Sequence, residues 1–321
     1  MRIPQNPLDF EIELVKLANE IQDFKKNPSS EADNKTLSKL ENRFYSRLNK
    51  IYSNLSPYQR VLLARHPDRP TARVLLSQIV DDFIELHGDR LFSDDYALIC
   101  GLGRIGVLRV ALCLQEKGQD LNEKIRRNFG MPHPEGYRKS LRIFRLAEKF
   151  KLPIVNIVDT PGAFPGDQAE ERGQASAIAL NLLELAQITV PTLSVILSEG
   201  GSGGALALAL TDKVFMFENA YYSVISPEGC ASILFPENSA SRVSECAAML
   251  KLSARDLQGF GIVDGIIKEH LGGLHWGWEE SFEQLKRVIV ETFYDFQSMT
   301  VEAMLKARFE KYSKMGVFTE T

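Results

Sequence analysis

The stretch from residue 153 to residue 217 constrains this chain most, because short apolar runs rich in β-branched residues alternate there with segments of helical spacing. Residues 153–159, 192–198 and 213–217 predict strands, and residues 168–187 and 204–210 predict the helices between them. The order is strand, helix, strand, helix, strand, which only a parallel pairing with right-handed crossovers accommodates readily. Nearly continuous apolar strands further require a sheet covered by helices, so the fold class is α/β. Ligands of such sheets bind beyond the carboxyl ends of the strands. Two unusual loops fall there: Thr160-Pro161-Gly162-Ala163-Phe164-Pro165-Gly166 and Glu199-Gly200-Gly201-Ser202-Gly203-Gly204-Ala205.

The flanks read differently. Residues 98–105 and 107–114 are β-favouring runs joined through Gly106, a β-hairpin signal, and Tyr137, Leu141 and Phe144 mark a helix that stops before Pro153. Ser56-Pro57 is a helix start, and a further helix is expected over residues 71–86, ending at His87-Gly88. Phe10, Leu14, Leu17, Ile21 and Phe24, then Leu37, Leu40, Phe44, Leu48, Ile51 and Leu55, trace two narrow helical seams separated by a polar breaker at residues 27–34. That helical hairpin needs an apolar surface to cover its seam, either the body of the same chain or another chain. From Ser241 onward the pattern is mainly helical, with long helices near residues 278–297 and 300–314. We therefore divide the chain into a hairpin (1–56), a central α/β domain (57–275) and a helical extension (276–321).

Charge and composition narrow the function. With 38 basic against 42 acidic residues and a net charge of −4, the chain has no global positive field for a nucleic-acid backbone. Its four cysteines, Cys100, Cys113, Cys230 and Cys246, form no C-x-x-C pair, which removes a zinc ribbon and a thioredoxin-like motif. The five histidines show no metal-ligand spacing, so no metal is expected. Neither a signal-peptide core nor about 18 unbroken apolar residues occur, which predicts a cytoplasmic protein without membrane contact.

Among the motifs, Gly101-Leu102-Gly103-Arg104-Ile105-Gly106 matches the dinucleotide pattern, but a strand follows where that motif needs a helix. No phosphate-loop sequence of the G-x-x-x-x-G-K-[ST] type exists. Gly200-Gly201-Ser202-Gly203-Gly204 fits the G-x-S-x-G elbow of serine hydrolases, with Asp264 and His270 or His275 following in hydrolase order. The alternative is that so many glycines serve to bring backbone N–H groups close to an oxyanion at a helix start. On that reading Gly203 and Gly204, with Gly162 and Ala163 of the proline-stiffened loop, are the donors. Lys117, Lys124, Arg126, Arg127, Arg138, Lys139, Arg142 and Arg145 concentrate positive charge in an acidic chain. The cluster at residues 124–127 suits several phosphates, as on a coenzyme A nucleotide.

Longer segments carry a resemblance. Glu123-Lys124-Ile125-Arg126-Arg127-Asn128-Phe129-Gly130-Met131-Pro132, Pro134-Glu135-Gly136-Tyr137-Arg138-Lys139, both loops, and Tyr222-Ser223-Val224-Ile225-Ser226-Pro227-Glu228-Gly229-Cys230 resemble the α subunits of bacterial acetyl-CoA carboxylase carboxyltransferases. The likeness is close from about residue 63 to residue 275. It implies a crotonase-like (ClpP/crotonase) spiral of ββα units in the central domain. It also implies carboxyl transfer from carboxybiotin on a biotin carboxyl carrier protein to acetyl-CoA, giving malonyl-CoA for fatty acid synthesis. Expected partners are a zinc-ribbon-bearing β subunit in an α2β2 core, the carrier protein and biotin carboxylase. The resemblance places a biotin pocket at Ala205, Phe164, Glu228 and Gly229, and coenzyme A phosphates at Lys117, Lys124, Arg126 and Arg127. One position departs: Gln119 stands where the family has arginine.

Overall fold

A computed structural model describes residues 2–26 and 31–316, with side chains from residue 35 in the second of these segments. The chain opens with α1 (Ile12–Lys26) and α2 (Glu31–Tyr52), followed by α3 (Pro57–Ala64) and α4 (Ala72–Ile79). The first three meet the sequence expectation. Ser56 caps α3 by accepting from the Gln59 N–H at 3.2 Å, while the Gln59 side chain accepts from the Ser56 N–H at 2.8 Å. The polar breaker is shorter than expected, since residues 31–34 already belong to α2; residues 27–30 lie outside the described part. The hairpin seam closes on its own body: Leu14, Leu17, Ile21, Phe44 and Leu48 are buried together with Leu63 and Trp276. Burying that apolar stripe, rather than intrinsic propensity, is what holds such helices.

The helix expected over residues 71–86 is a correction. It ends at Ile79, and Asp81–Glu85 form β1, antiparallel to β2 (Leu98–Ile105). Helical spacing continued on paper, but pairing with an otherwise open sheet edge outweighs local propensity. β2 and β3 (Leu108–Gln115) form the predicted hairpin, with Ile105 opposite Leu108 and Gly106 at φ +59° in the turn. Next come α5 (Leu121–Arg126), which the polar composition of that stretch concealed, and α6 (Pro134–Phe150).

The predicted alternation follows: β4 (Ile154–Thr160), α7 (Asp167–Glu171), α8 (Gln174–Gln187), β5 (Thr192–Gly201), α9 (Ser202–Ala209) and β6 (Lys213–Phe217). The single helix expected over 168–187 is broken at Gly173, whose φ of +80° no helix admits. β7 (Tyr221–Ser223) precedes α10 (Pro227–Leu234), α11 (Ser239–Met249), α12 (Ala254–Gly259), β8 (Gly265–Ile267), α13 (Glu279–Phe296) and α14 (Val301–Ser313). β7 and β8 were not predicted; strands of three residues leave no periodic signal. The eight-stranded sheet runs β1-β2-β3-β4-β5-β6-β8, with β7 pairing in parallel against the far end of β5. From β3 onward every pairing in the sheet is parallel.

The central core contains Phe282, Leu285, Ile289 and Phe293 of α13, so the helical extension is packed into the domain it follows. Arg308 of α14 is buried too, held by Asp212 at 2.7 Å and by the carbonyls of Leu185 and Ile188. No helix among the described residues is long and apolar enough to cross a membrane.

Candidate active site

β4 and β5 are parallel neighbours, so the loops that leave their carboxyl ends must meet, and they do so backbone to backbone. A Cβ on Gly204 would stand 2.6 Å from the Ala163 nitrogen, and one on Gly201 would overlap the Pro161 carbonyl. Gly201 and Gly204 are therefore glycines because the second loop lies directly on the first. Gly203 is different, since a Cβ there would meet only the Ile178 side chain, at an ordinary 3.7 Å. The first N–H groups of α9 have no acceptor within their own helix, and the helix dipole adds positive character there. Ala163 sits half-buried across from them.

Gly162 corrects the sequence reading. Its N–H donates to Thr160 Oγ1 at 3.1 Å, and the Thr160 hydroxyl donates back to the Gly162 carbonyl at 2.7 Å. That N–H is spent on closing the turn. The loop is secured further by the Phe164 N–H donating to the Pro132 carbonyl, and by Gln174 Nε2 bridging the Pro132 and Phe164 carbonyls, each at 2.9 Å.

Beneath both loops lies a charged network whose assembly the sequence did not reveal. Lys117 Nζ contacts Glu199 at 2.5 Å and Asp159 at 2.7 Å. Glu199 also receives Arg65 Nε at 2.8 Å and the Tyr221 hydroxyl at 2.6 Å, and Arg65 reaches on to Glu228 at 2.8 Å. Burial pushes the Glu199 carboxyl up, but Lys117 and Arg65 outweigh it and hold it at about 2. Asp159 goes the other way, raised by burial more than its single cation lowers it. The residues immediately ahead of the two loops are thus pinned from below by one ammonium. Phe164, Glu228 and Lys117 were picked out singly, but the link through Arg65, 134 positions from Glu199, had no local signal.

The four cations assigned to phosphates divide in two. Lys117 is engaged by two carboxylates, and buried Arg127 is held by Glu123 at 2.7 Å and the Tyr96 carbonyl at 2.7 Å. Lys124 is half-exposed, and exposed Arg126 lies over the Tyr96 ring at 4.0 Å. Gln119 is exposed.

The four residues expected around biotin do not converge on one cavity. Ala205 is inside the central core, Phe164 stacks on His133 at 4.2 Å, Glu228 pairs with Arg65, and Gly229 packs on Ile225. Instead a cavity of about 720 Å³ opens beside the start of α9, lined by Ser202, Gly203, Leu206, Tyr222, Val224 and Phe260 among others. Its walls are largely apolar, with the N-terminus of α9 at one side, the general make-up of a small-molecule site.

The hydrolase alternative lacks its partners. Ser202 is exposed and sits at φ +50°, as an elbow serine would, but Asp264 is engaged by Lys311 at 2.6 Å and by the Val214 N–H at 2.8 Å. His275 is buried against Glu11 at 2.6 Å, and His270 lines a separate cavity with Tyr52 and Glu269. Glu11, His66 and His275 are also the one trio of potential metal ligands among the described residues, brought together from positions far apart in sequence. Glu11 already accepts from the Tyr52 hydroxyl, Trp276 Nε1 at 3.2 Å and the Leu8 N–H at 2.9 Å. With burial opposing, its histidine contacts hold that carboxyl well below the usual range. Glu11 and His275 thus tie the N-terminal segment to the loop before α13, and His66 Nε2 lies 3.3 Å from Glu11, stacked on His275.

A family model described as acetyl co-enzyme A carboxylase carboxyltransferase-like matches residues 7–316. A curated relative from Fusobacterium nucleatum, named acetyl-coenzyme A carboxylase carboxyl transferase subunit alpha, is 46% identical over 97% of this chain and 99% of its own length. The chain belongs to this carboxyltransferase family. Another member, of the same name and from Aquifex aeolicus, is 43% identical over 97% of this chain and 96% of its own. Solved structures more distant in sequence share the fold. Transcarboxylase 12S, crystallised with methylmalonyl-coenzyme A and methylmalonic acid, gives a TM-score of 0.56 at 19% identity, over 79% of this chain and 44% of the other. The geranyl-CoA carboxylase β subunit of P. aeruginosa gives 0.55 at 16%, over 83% and 48%. The family member described here thus spans less than half of those larger chains, and its fold is the crotonase-like one that they contain.

Proposed function

We propose that this chain is the α subunit of a biotin-dependent acetyl-CoA carboxyltransferase, moving a carboxyl group from carboxybiotin on a carrier protein to acetyl-CoA to form malonyl-CoA for fatty acid synthesis. The observation that carries this reading is identity of 43–46% to named α subunits across nearly the whole length of both chains. Its partners in the proposal are a β subunit bearing the zinc ribbon, in an α2β2 core, the carrier protein and biotin carboxylase, all in the cytoplasm. The central part, residues 57–275, carries the site; the hairpin (1–56) and extension (276–321) brace it.

The bicyclic ring of biotin would sit in the cavity beside α9, a reading supported by its largely apolar lining and by Ser202 and Gly203 at its rim. Carboxybiotin held there would supply an activated carboxyl group, and the residues around it would have to meet the negative charge that its transfer develops. Gly203 and Gly204 present the N–H groups of the first helical turn to that charge, and Ala163 adds a third from the facing loop. These donors are fixed before reaction, so they stabilise the transition state more than the ground state and raise kcat rather than only tightening binding. Each such donor contributes about 2.7–4 kcal/mol where measured in other enzymes. Gly162 holds the turn. Glu199 and Asp159 are kept in place by Lys117, which we withdraw, with Arg127, from the phosphate contacts; Lys124 and Arg126 remain for coenzyme A. Phe164, Ala205, Glu228 and Gly229 frame the site rather than line the cavity.

Purified chain, β subunit and carboxylated carrier are expected to convert acetyl-CoA to malonyl-CoA together, and the chain alone is expected to be inactive. Absence of product from competent components would overturn the assignment.

A further inference from the structure

Gln115, the last residue of β3, is fully buried between the two loops, and both ends of its amide are engaged. Its Nε2 donates to the Gly204 carbonyl at 2.7 Å, and its Oε1 accepts from the Asp159 N–H at 3.1 Å. The first partner lies in the opening turn of α9. The second is the residue that also accepts from the Glu199 N–H at 3.2 Å and takes the Lys117 ammonium. One side chain therefore spans the start of the donor helix and the floor of the opposite loop. An amide alone among side chains of this size offers a donor at one end and an acceptor at the other in the same plane.

We infer that Gln115 is a positioning residue for carboxyl transfer: it sets the distance between the first turn of α9 and the end of β4, and so the aim of the Gly203, Gly204 and Ala163 N–H groups. This rests on the reading of those groups as oxyanion donors. Donors lose their effect steeply with misplacement, and a shift near 1 Å can cost roughly a hundredfold in rate. Removing the amide leaves the Asp159 N–H buried without its partner and takes from the helical Gly204 carbonyl the contact that ties the first turn of α9 to β3, so both elements relax toward other contacts.

Chemistry also supplies a signature that mere loss of packing lacks. In Gln115→Glu the protonated acid reproduces both hydrogen bonds, its O–H donating to Gly204 and its carbonyl accepting from Asp159. The ionised form sets two acceptors against each other at Gly204. Burial beside Asp159 and Glu199 raises the pKa of such a carboxyl, and the Lys117 ammonium that both of them bind opposes part of that rise.

The test measures malonyl-CoA formation by the assembled α/β complex with carboxylated carrier across the acid limb of the pH profile, for wild type, Gln115→Leu and Gln115→Glu. Gln115→Leu is expected to lose about tenfold or more in kcat at every pH, with KM for acetyl-CoA nearly unchanged. Gln115→Glu should be impaired at high pH and recover toward wild type, relative to wild type at the same pH, as pH falls. Amide hydrogen exchange of the complexes gives a second readout independent of turnover, with faster exchange expected at Asp159 and in the first turn of α9 in Gln115→Leu. If the leucine variant does not fold, the glutamate variant decides alone. Wild-type kcat in a folded Gln115→Leu complex, a glutamate variant whose ratio to wild type is flat with pH, or unaltered exchange would each overturn the inference. An inactive wild-type complex would instead strike the assigned reaction, leaving hydrogen exchange to judge the positioning.

Discussion

The two loops that leave β4 and β5 start from the same topology and end in opposite chemistry. After Thr160 the chain turns on two prolines and consumes its own donor, since the Gly162 N–H is bonded to Thr160 Oγ1. After Glu199 the chain passes through glycines straight into α9, and the donors of the first turn stay unspent. In the proposed mechanism the first loop is the wall and the second carries the donors. The two are in direct contact: Gly201 and Gly204 lack side chains where they press on Pro161, Gly162 and Ala163, so the position of one loop fixes that of the other.

The comparison is most easily broken at that contact. Gly201→Ala puts a methyl group into the Pro161 carbonyl, and the loops must part. We expect a fall of at least about a hundredfold in kcat, measured as malonyl-CoA release by the complex, because the donors of both elements then miss their target together. Wild-type turnover would mean that the loops act separately.

Next in size is the ammonium beneath them. Lys117→Met strands buried Asp159, while Glu199 keeps Arg65 and the Tyr221 hydroxyl, and breaking one buried pair in this way costs about 3–5 kcal/mol. Chemical denaturation of the isolated chain checks it, and a loss under about 1 kcal/mol would show that buried Asp159 does not depend on this ammonium.

Acid should loosen the same floor more gradually. Glu199 is held at about 2 in the folded chain against an ordinary value of 4.5, so its contribution is complete above pH 4.5 and is lost as the pH falls toward 2. Asp159 has the opposite sign: its pKa is raised, so protonation on the way down relieves it and offsets part of that loss. Stability of wild type should therefore fall more steeply with acid than that of Glu199→Gln. Parallel curves would contradict the pairing.

Much of this was legible beforehand, for identifiable reasons. β-Branched runs bounded by glycine and proline located β4, β5 and β6, and the glycines of residues 200–204 marked a helix start before any geometry was known. Gly204 was named as a backbone donor where a side chain would obstruct a ligand; the structure shows that its missing side chain makes room for the neighbouring loop. Arg65 was noted only as part of a family-like segment, and Gln115 and Tyr221 were given no role, because long-range pairing leaves no periodic trace and a lone glutamine at a strand end looks like any surface residue. Residues 81–85 read as helix because their partner strand lies outside any local window.

The smallest effect sits beside the largest. Ser202 is exposed at the mouth of the cavity, and its side chain donates nothing that the account requires. Ser202→Ala should change kcat by less than about threefold, and a fluorophosphonate probe should leave Ser202 unlabelled.

Single-turnover transfer from carboxylated carrier to acetyl-CoA, followed side by side in assembled Ser202→Ala and Gly204→Val complexes, tests the central claim most directly. If backbone donors held by loop contact drive transfer, the serine variant keeps nearly the wild-type rate and the glycine variant loses at least about a hundredfold. A silent Ser202→Ala with an active Gly204→Val would contradict the account and put a serine nucleophile in its place.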